Sequence, residues 1–134
     1  MSACVLDTDV VIAALDRRDL HHERAAAAIT TMIDTGTDLL LSLVNYAESL
    51  VRPAEDEHTM RAAIDALTAL GIRLVAPTPA IARDAARHRA QNISLADGFA
   101  IATAHSHGAS LASFDARVRR ALPRIGVQLA AELS

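Results

Sequence analysis

Residues 6–15, LDTDVVIAAL, place two aspartates, Asp7 and Asp9, inside an otherwise apolar stretch that begins at Ala3. Two physical readings account for acids there. A short carboxylate caps a helix by accepting hydrogen bonds from the free N–H groups of its first turn. Alternatively, Asp7 sits at the carboxyl end of a buried strand, where open α/β sheets gather their chemistry. The first reading expects a helix beginning at these acids, the second a buried strand over Ala3–Leu6 that ends just before Asp7. The rest of the chain bears on which one holds.

Working outward, short apolar runs that suit buried strands recur at Leu39–Leu41, Arg73–Ala76, Ser110–Ala112 and Val127–Ala130. Between them lie helical segments: His22–Ile33, Val44–Arg52 before Pro53, Glu57–Leu70 before Gly71, Pro79–Gln91, and Leu95–His107 before Gly108. Strands alternating with helices predict a three-layer α/β/α domain around a central, mostly parallel sheet of about five strands. The 134 residues hold no repeat, linker or low-complexity tract, so a single domain over residues 1–134 is expected.

Half of the chain is hydrophobic, which argues against disorder. No apolar run is long enough for a membrane span and the N-terminus does not read as a secretion signal, so a cytoplasmic location with no membrane partner is expected. The one cysteine, Cys4, reads as a small core residue. The net charge of −3 argues against a nucleic-acid partner unless several acids hold cations. All 13 basic residues are arginines. With Tyr46, Phe99 and Phe114 the only aromatics, a base-stacking platform is not expected.

Each remaining acid of interest has a structural explanation of its own. Asp97 stands three residues after Ser94, in the manner of a capping box. Asp115 or Ser113 can cap a short helical turn, and Glu48 can pair with Arg52 four residues on. On the expected architecture, however, Asp7, Glu48 and Asp115 lie just beyond strand carboxyl ends, and Asp97 joins them if its helix starts at the same edge. Carboxylates brought together repel one another, and such a cluster favours divalent cations. Ligation by oxygen alone suits Mg²⁺ or Mn²⁺, a site adapted to phosphodiester hydrolysis. Setting these four acids aside leaves a formal charge of +1, and Arg17, Arg18, Arg52, Arg117, Arg119 and Arg120 become candidate phosphate contacts.

LDTDVVIAAL, the glutamate of VNYAESL, SLADGFAIATA and LASFDARV together resemble the PIN-domain family, specifically the VapC-type toxins of bacterial toxin–antitoxin pairs. The resemblance covers essentially the whole chain, in order. It implies an Mg²⁺-dependent endoribonuclease (Mn²⁺ as the alternative metal) with Asp7, Glu48, Asp97 and Asp115 as the catalytic, metal-holding acids. It also implies an RNA substrate, a small cognate antitoxin and a homodimer. Ser113 fills the hydroxyl position two residues before the last acid. The chain departs from the pattern at Asp9, where the family often has Ser or Thr, and Asp9 reads as a helix cap rather than an additional outer acid.

Other chemistries fit less well. An acid–x–acid after an apolar strand also opens haloacid-dehalogenase-type phosphatases, and receiver domains gather acids at strand ends, but both usually add a lysine and this chain has none. A non-catalytic PIN-like binding module would leave all the acids as caps. The histidines, His21, His22, His58, His88, His105 and His107, include no H-x-x-x-H pair, which argues against zinc.

Overall fold

The computed structural model describes residues 2–134; Met1 lies outside them. Its elements run β1 (Ala3–Leu6), α1 (Thr8–Leu15), α2 (His22–Asp34), β2 (Asp38–Ser42), α3 (Leu43–Ser49), a 3₁₀ turn at Pro53–Glu55, α4 (Glu57–Ala69), β3 (Arg73–Val75), α5 (Pro79–Ala90), α6 (Leu95–His107), β4 (Ser110–Ala112) and α7 (Ala116–Ile125), with a last 3₁₀ turn at Ala131–Leu133. The four strands are all parallel in the order β3-β2-β1-β4. With β1 and β2 central, their carboxyl ends open on the middle of one sheet edge.

The expected fifth strand is reduced to one bridge. Residues 127–130 meet β4 only at Leu111, which donates to Gln128 O at 2.9 Å and accepts from Ala130 N at 2.8 Å. The chain leaves the sheet at once, because Ala130 already opens the 3₁₀ turn at Ala131–Leu133.

Strand alternation divides the core between two faces. Cys4, Leu6, Leu39 and Leu41 face α1, α2 and α4, where Val10, Val11, Ile29, Met32 and Leu67 are buried. Val5, Leu40 and Leu111 face α6 and α7 through Ile101, Ala104, Val118 and Leu122. Helices on both faces make the three layers. Cys4 is buried, and burial pushes its thiol up to about 11, so it is an unreactive core side chain.

Helix boundaries follow local chemistry. Ser94 caps α6 through its hydroxyl, which accepts from Asp97 N at 3.2 Å, and Gly108 ends it in the left-handed region at φ 60°. The helix expected over Val44–Arg52 runs instead over Leu43–Ser49, with Arg52 beyond it. Among the described residues no helix is long and apolar enough to cross a membrane.

Candidate active site

β1 ends at Leu6, and Asp7 is at once the next residue and the N-cap of α1, its Oδ1 accepting from Thr8 N at 2.9 Å. Asp7 is 1% exposed. β4 ends at Ala112, beside Asp7 N, which donates to Ala112 O at 2.9 Å. The next residue, Ser113, donates from Oγ to Asp7 Oδ2 at 2.8 Å and accepts from Asp115 N at 3.1 Å. Asp115 then caps α7, accepting from Val118 N at 3.0 Å. The cap and strand-end readings of these acids are therefore both true of the same atoms.

Asp97 arrives from the other direction, in the first turn of α6. Its place is set by Asn45 on α3, whose amide nitrogen donates to Thr8 Oγ1 at 3.0 Å and to Ala96 O at 3.1 Å. α3 also carries Glu48, which is exposed and not salt-bridged to Arg52; the ion pairs among the described residues are Arg18–Asp16 and Arg87–Asp84.

The acids are raised first by burial and then by one another. Burial raises the Asp7 carboxyl well above the usual carboxylate range, with Asp9 and Asp97 adding to the rise and Ser113 and Thr8 opposing it. Burial likewise raises Asp97, where Asp115 and Glu48 add their repulsion against the hydrogen bonds of Ser94 and Asp7. The structure thus brings Asp7, Asp97 and Asp115 within each other's fields, with Glu48 at their rim.

Asp9 is not the helix cap expected from the sequence, because Asp7 occupies that position. Standing in the first turn of α1, Asp9 instead accepts at Oδ2 from Phe114 N at 3.0 Å, tying α1 to the loop that carries Ser113 and Asp115. Burial pushes it up to about 6 against that bond, helped by Asp97 and Asp115. Phe114 is held in turn by His21, stacked on its ring at 4.3 Å, and by the Arg24 guanidinium 5.2 Å from its centroid.

Among the described residues, no three His, Cys, Asp or Glu side chains are already arranged around a common point as ligands of a metal ion. The donor set nonetheless suits a hard divalent cation. It is all oxygen, and its acids repel one another with no basic partner; among the described residues, the two buried side-chain atoms left without a hydrogen bond, Asp9 Oδ1 and Asn45 Oδ1, lie on residues that neighbour these acids rather than in the donor set itself. Arg17, Arg18, Arg52, Arg117 and Arg120 are exposed, whereas Arg119 is partly committed to Leu133 O at 3.1 Å.

Asn45 and Thr8 went unrecognised in the sequence. The available signal was a buried-type amide three residues before Glu48 on one helix face, a spacing that points both side chains the same way.

The PIN domain family profile matches residues 4–122. The chain belongs to the PIN domain family. Solved structures share this PIN fold over nearly their whole length. A chain of VapBC-1 from nontypeable Haemophilus influenzae superposes with a TM-score of 0.73 at 17% identity, covering 98% of this PIN domain and 99% of its own length. For FitAcB from Neisseria gonorrhoeae the TM-score is 0.70 at 24% identity, with coverage of 96% and 97%. VapC20 of Mycobacterium tuberculosis, a sarcin-ricin loop-cleaving toxin, gives 0.70 at 15% identity, with coverage of 88% and 94%. No curated protein matches by sequence. Membership of the PIN family leaves the phosphatase-like and receiver-like readings without support.

Proposed function

We propose that this PIN domain, residues 1–134, is a cytoplasmic, divalent-metal-dependent endoribonuclease and the toxin of a type II toxin–antitoxin pair. The observation that carries the reading is the set of mutually repelling acids at the carboxyl edge of the sheet, Asp7, Asp97 and Asp115 with Glu48 at the rim, which lacks any arginine partner. The likeness in fold to VapBC chains, and to a toxin that cleaves the sarcin-ricin loop, supports RNA as the substrate class.

Asp7 and Asp97 would hold the cation, Mg²⁺ by preference and Mn²⁺ as the alternative, with Asp115 and Glu48 completing the acidic set. When bound, such an ion supplies Lewis-acid polarisation of the scissile phosphate and activation of the attacking water. The chain's own part is orientation. Ser113 fixes the Asp7 carboxylate and Asp9 fixes the loop after β4, so that the acids meet the phosphate in one geometry. Arg17, Arg52, Arg117 and Arg120, all exposed, are the arginines available for phosphate contacts.

A groove of about 820 Å³ between α1, α3 and α4, lined by Ile12, Leu15, Val51 and Ala63, runs to Glu48. An antitoxin segment seated there would reach the acids, and an arginine on it would neutralise them. This groove favours α1, α3 and α4 over α2 as antitoxin contacts, because none of its lining residues comes from α2. We expect a homodimer of the free protein, which light scattering at high micromolar concentration tests.

The deciding experiment incubates purified protein with structured and single-stranded RNA in Mg²⁺, Mn²⁺ or excess EDTA. Cleavage with metal alone, leaving 5′-phosphate and 3′-hydroxyl ends, is the expected result. Undiminished cleavage in EDTA overturns the reading.

A further inference from the structure

Asn45 is 0% exposed, yet both hydrogen bonds from its amide nitrogen leave its own helix. Thr8, which accepts one, follows Asp7; Ala96, which accepts the other, precedes Asp97; and Asn45 itself stands one turn before Glu48. A single side chain therefore spans the three helices α1, α3 and α6 that carry these acids.

The orientation of this amide is fixed by chemistry. A backbone carbonyl only accepts, so the NH₂ branch must face Ala96, and Oδ1 on the other branch is left buried with no partner. A buried acceptor without a donor destabilises the fold, and leucine, which has nearly the same outline, would remove that penalty. What leucine lacks is the pair of donors. The N-termini of α1 and α6 carry acids that repel when both are ionised, and the two bonds of the Asn45 amide tie those helix starts to one another through α3.

We infer that Asn45 is a positioning residue, holding the starts of α1 and α6 at a fixed spacing against the repulsion of Asp7 and Asp97 and thereby setting the cation affinity of the site. The inference rests on the metal-dependent nuclease reading above. It does not make Asn45 a ligand. Loss of the tie spreads the carboxylates without removing any of them, the behaviour of groups that orient metal ligands from behind.

The test uses the full chain with Mn²⁺ as probe, measuring bound metal by electron paramagnetic resonance, the melting temperature without metal, and RNA cleavage. The variants are Asn45→Leu, Thr8→Val and their combination. Mn²⁺ affinity should fall on the order of ten- to a hundredfold in Asn45→Leu, and by less in Thr8→Val, which loses one of the two bonds. The combination should fall little below Asn45→Leu alone, since both changes cut the same tie. The metal-free melting temperature should move by only a few degrees, because Ala96 O keeps its place in the α6 hydrogen-bond ladder and the orphaned Oδ1 is gone.

Unchanged Mn²⁺ affinity in Asn45→Leu overturns the inference, as does a large drop in melting temperature with normal affinity in the folded fraction, which would make Asn45 a packing residue. If Asn45→Leu does not fold, Thr8→Val decides, and unchanged affinity there overturns it. Failure of the wild-type protein to bind Mn²⁺ overturns the nuclease reading itself and this inference with it, whereas normal wild-type binding with unaffected variants sinks the role of Asn45 alone.

Discussion

Ser113 and Asp7, 106 positions apart in sequence, are joined by a 2.8 Å hydrogen bond between two fully buried side chains, and the same serine oxygen receives the Asp115 N–H at 3.1 Å. One hydroxyl therefore aligns two acids. Ser113→Ala removes a donor to a buried carboxylate and should lower stability by about 1–3 kcal/mol. It should also push the Asp7 carboxyl still higher, because this bond is one of the two hydrogen bonds that oppose the rise. Thermal melting and a metal titration check both, and the variant should need more Mg²⁺ than wild type for half-maximal cleavage.

Asp7→Asn and Asp97→Asn separate the capping role from the charged one. Asparagine caps helices about as well as aspartate, so the capping loss should not exceed roughly 1 kcal/mol. Relief of repulsion acts the other way, and the metal-free melting temperature should hold level or rise. RNA cleavage should fall on the order of a hundredfold or more. Low-melting variants whose folded fraction cleaves at the wild-type rate would contradict the site.

The raised carboxyls make the metal-free protein more stable in mild acid. Asp9 is pushed from an ordinary 3.8 to about 6, so between these values the folded state holds the proton more tightly than the unfolded state. Stability is consequently lost as pH rises through this window, and the penalty from Asp9 is fully present above about pH 6, on the order of 3 kcal/mol. Asp7 and Asp97 shift in the same direction. Metal-free melting should rise from pH 7.5 to about pH 5, and Asp9→Asn should flatten that slope. Because cations bind the ionised acids, the gain in melting temperature from Mg²⁺ should be larger at the higher pH.

Gly98 lets α6 lie against α5. A Cβ there would meet the backbone oxygen of Ala85 at 2.9 Å, an atom that moves only if a helix moves. Gly98→Ala should destabilise by about 1–3 kcal/mol. Since Asp97 is its neighbour, metal affinity should fall with it, measured on the fraction that remains folded.

Strands β1, β2, β3 and β4 were legible because each is a short apolar run bounded by polar or turn residues, and the helices because Gly36, Gly71, Gly108 and Pro53 punctuate them. The run at 127–130 looked the same but found only Leu111 to pair with, since a strand needs a partner whose length the run does not encode. Within the site, the acids could be named from their contexts, whereas the bond from Asp9 to Phe114 and those from Asn45 to α1 and α6 join residues far apart in the chain. Asp9 was misjudged for that reason. A carboxylate in a first helical turn has a local explanation at hand, and the donor that actually claims it lies 105 positions away.

Asp7, Asp9 and Asp115 each commit an oxygen to a backbone N–H before any ligand arrives. Their rotational freedom is surrendered as the chain folds, which leaves less disorder to be lost when something binds them. Helix starts and carboxylate aim thus depend on the same bonds. Warming that frays the first turns of α1 and α7 should scatter these acids well before the sheet beneath them melts.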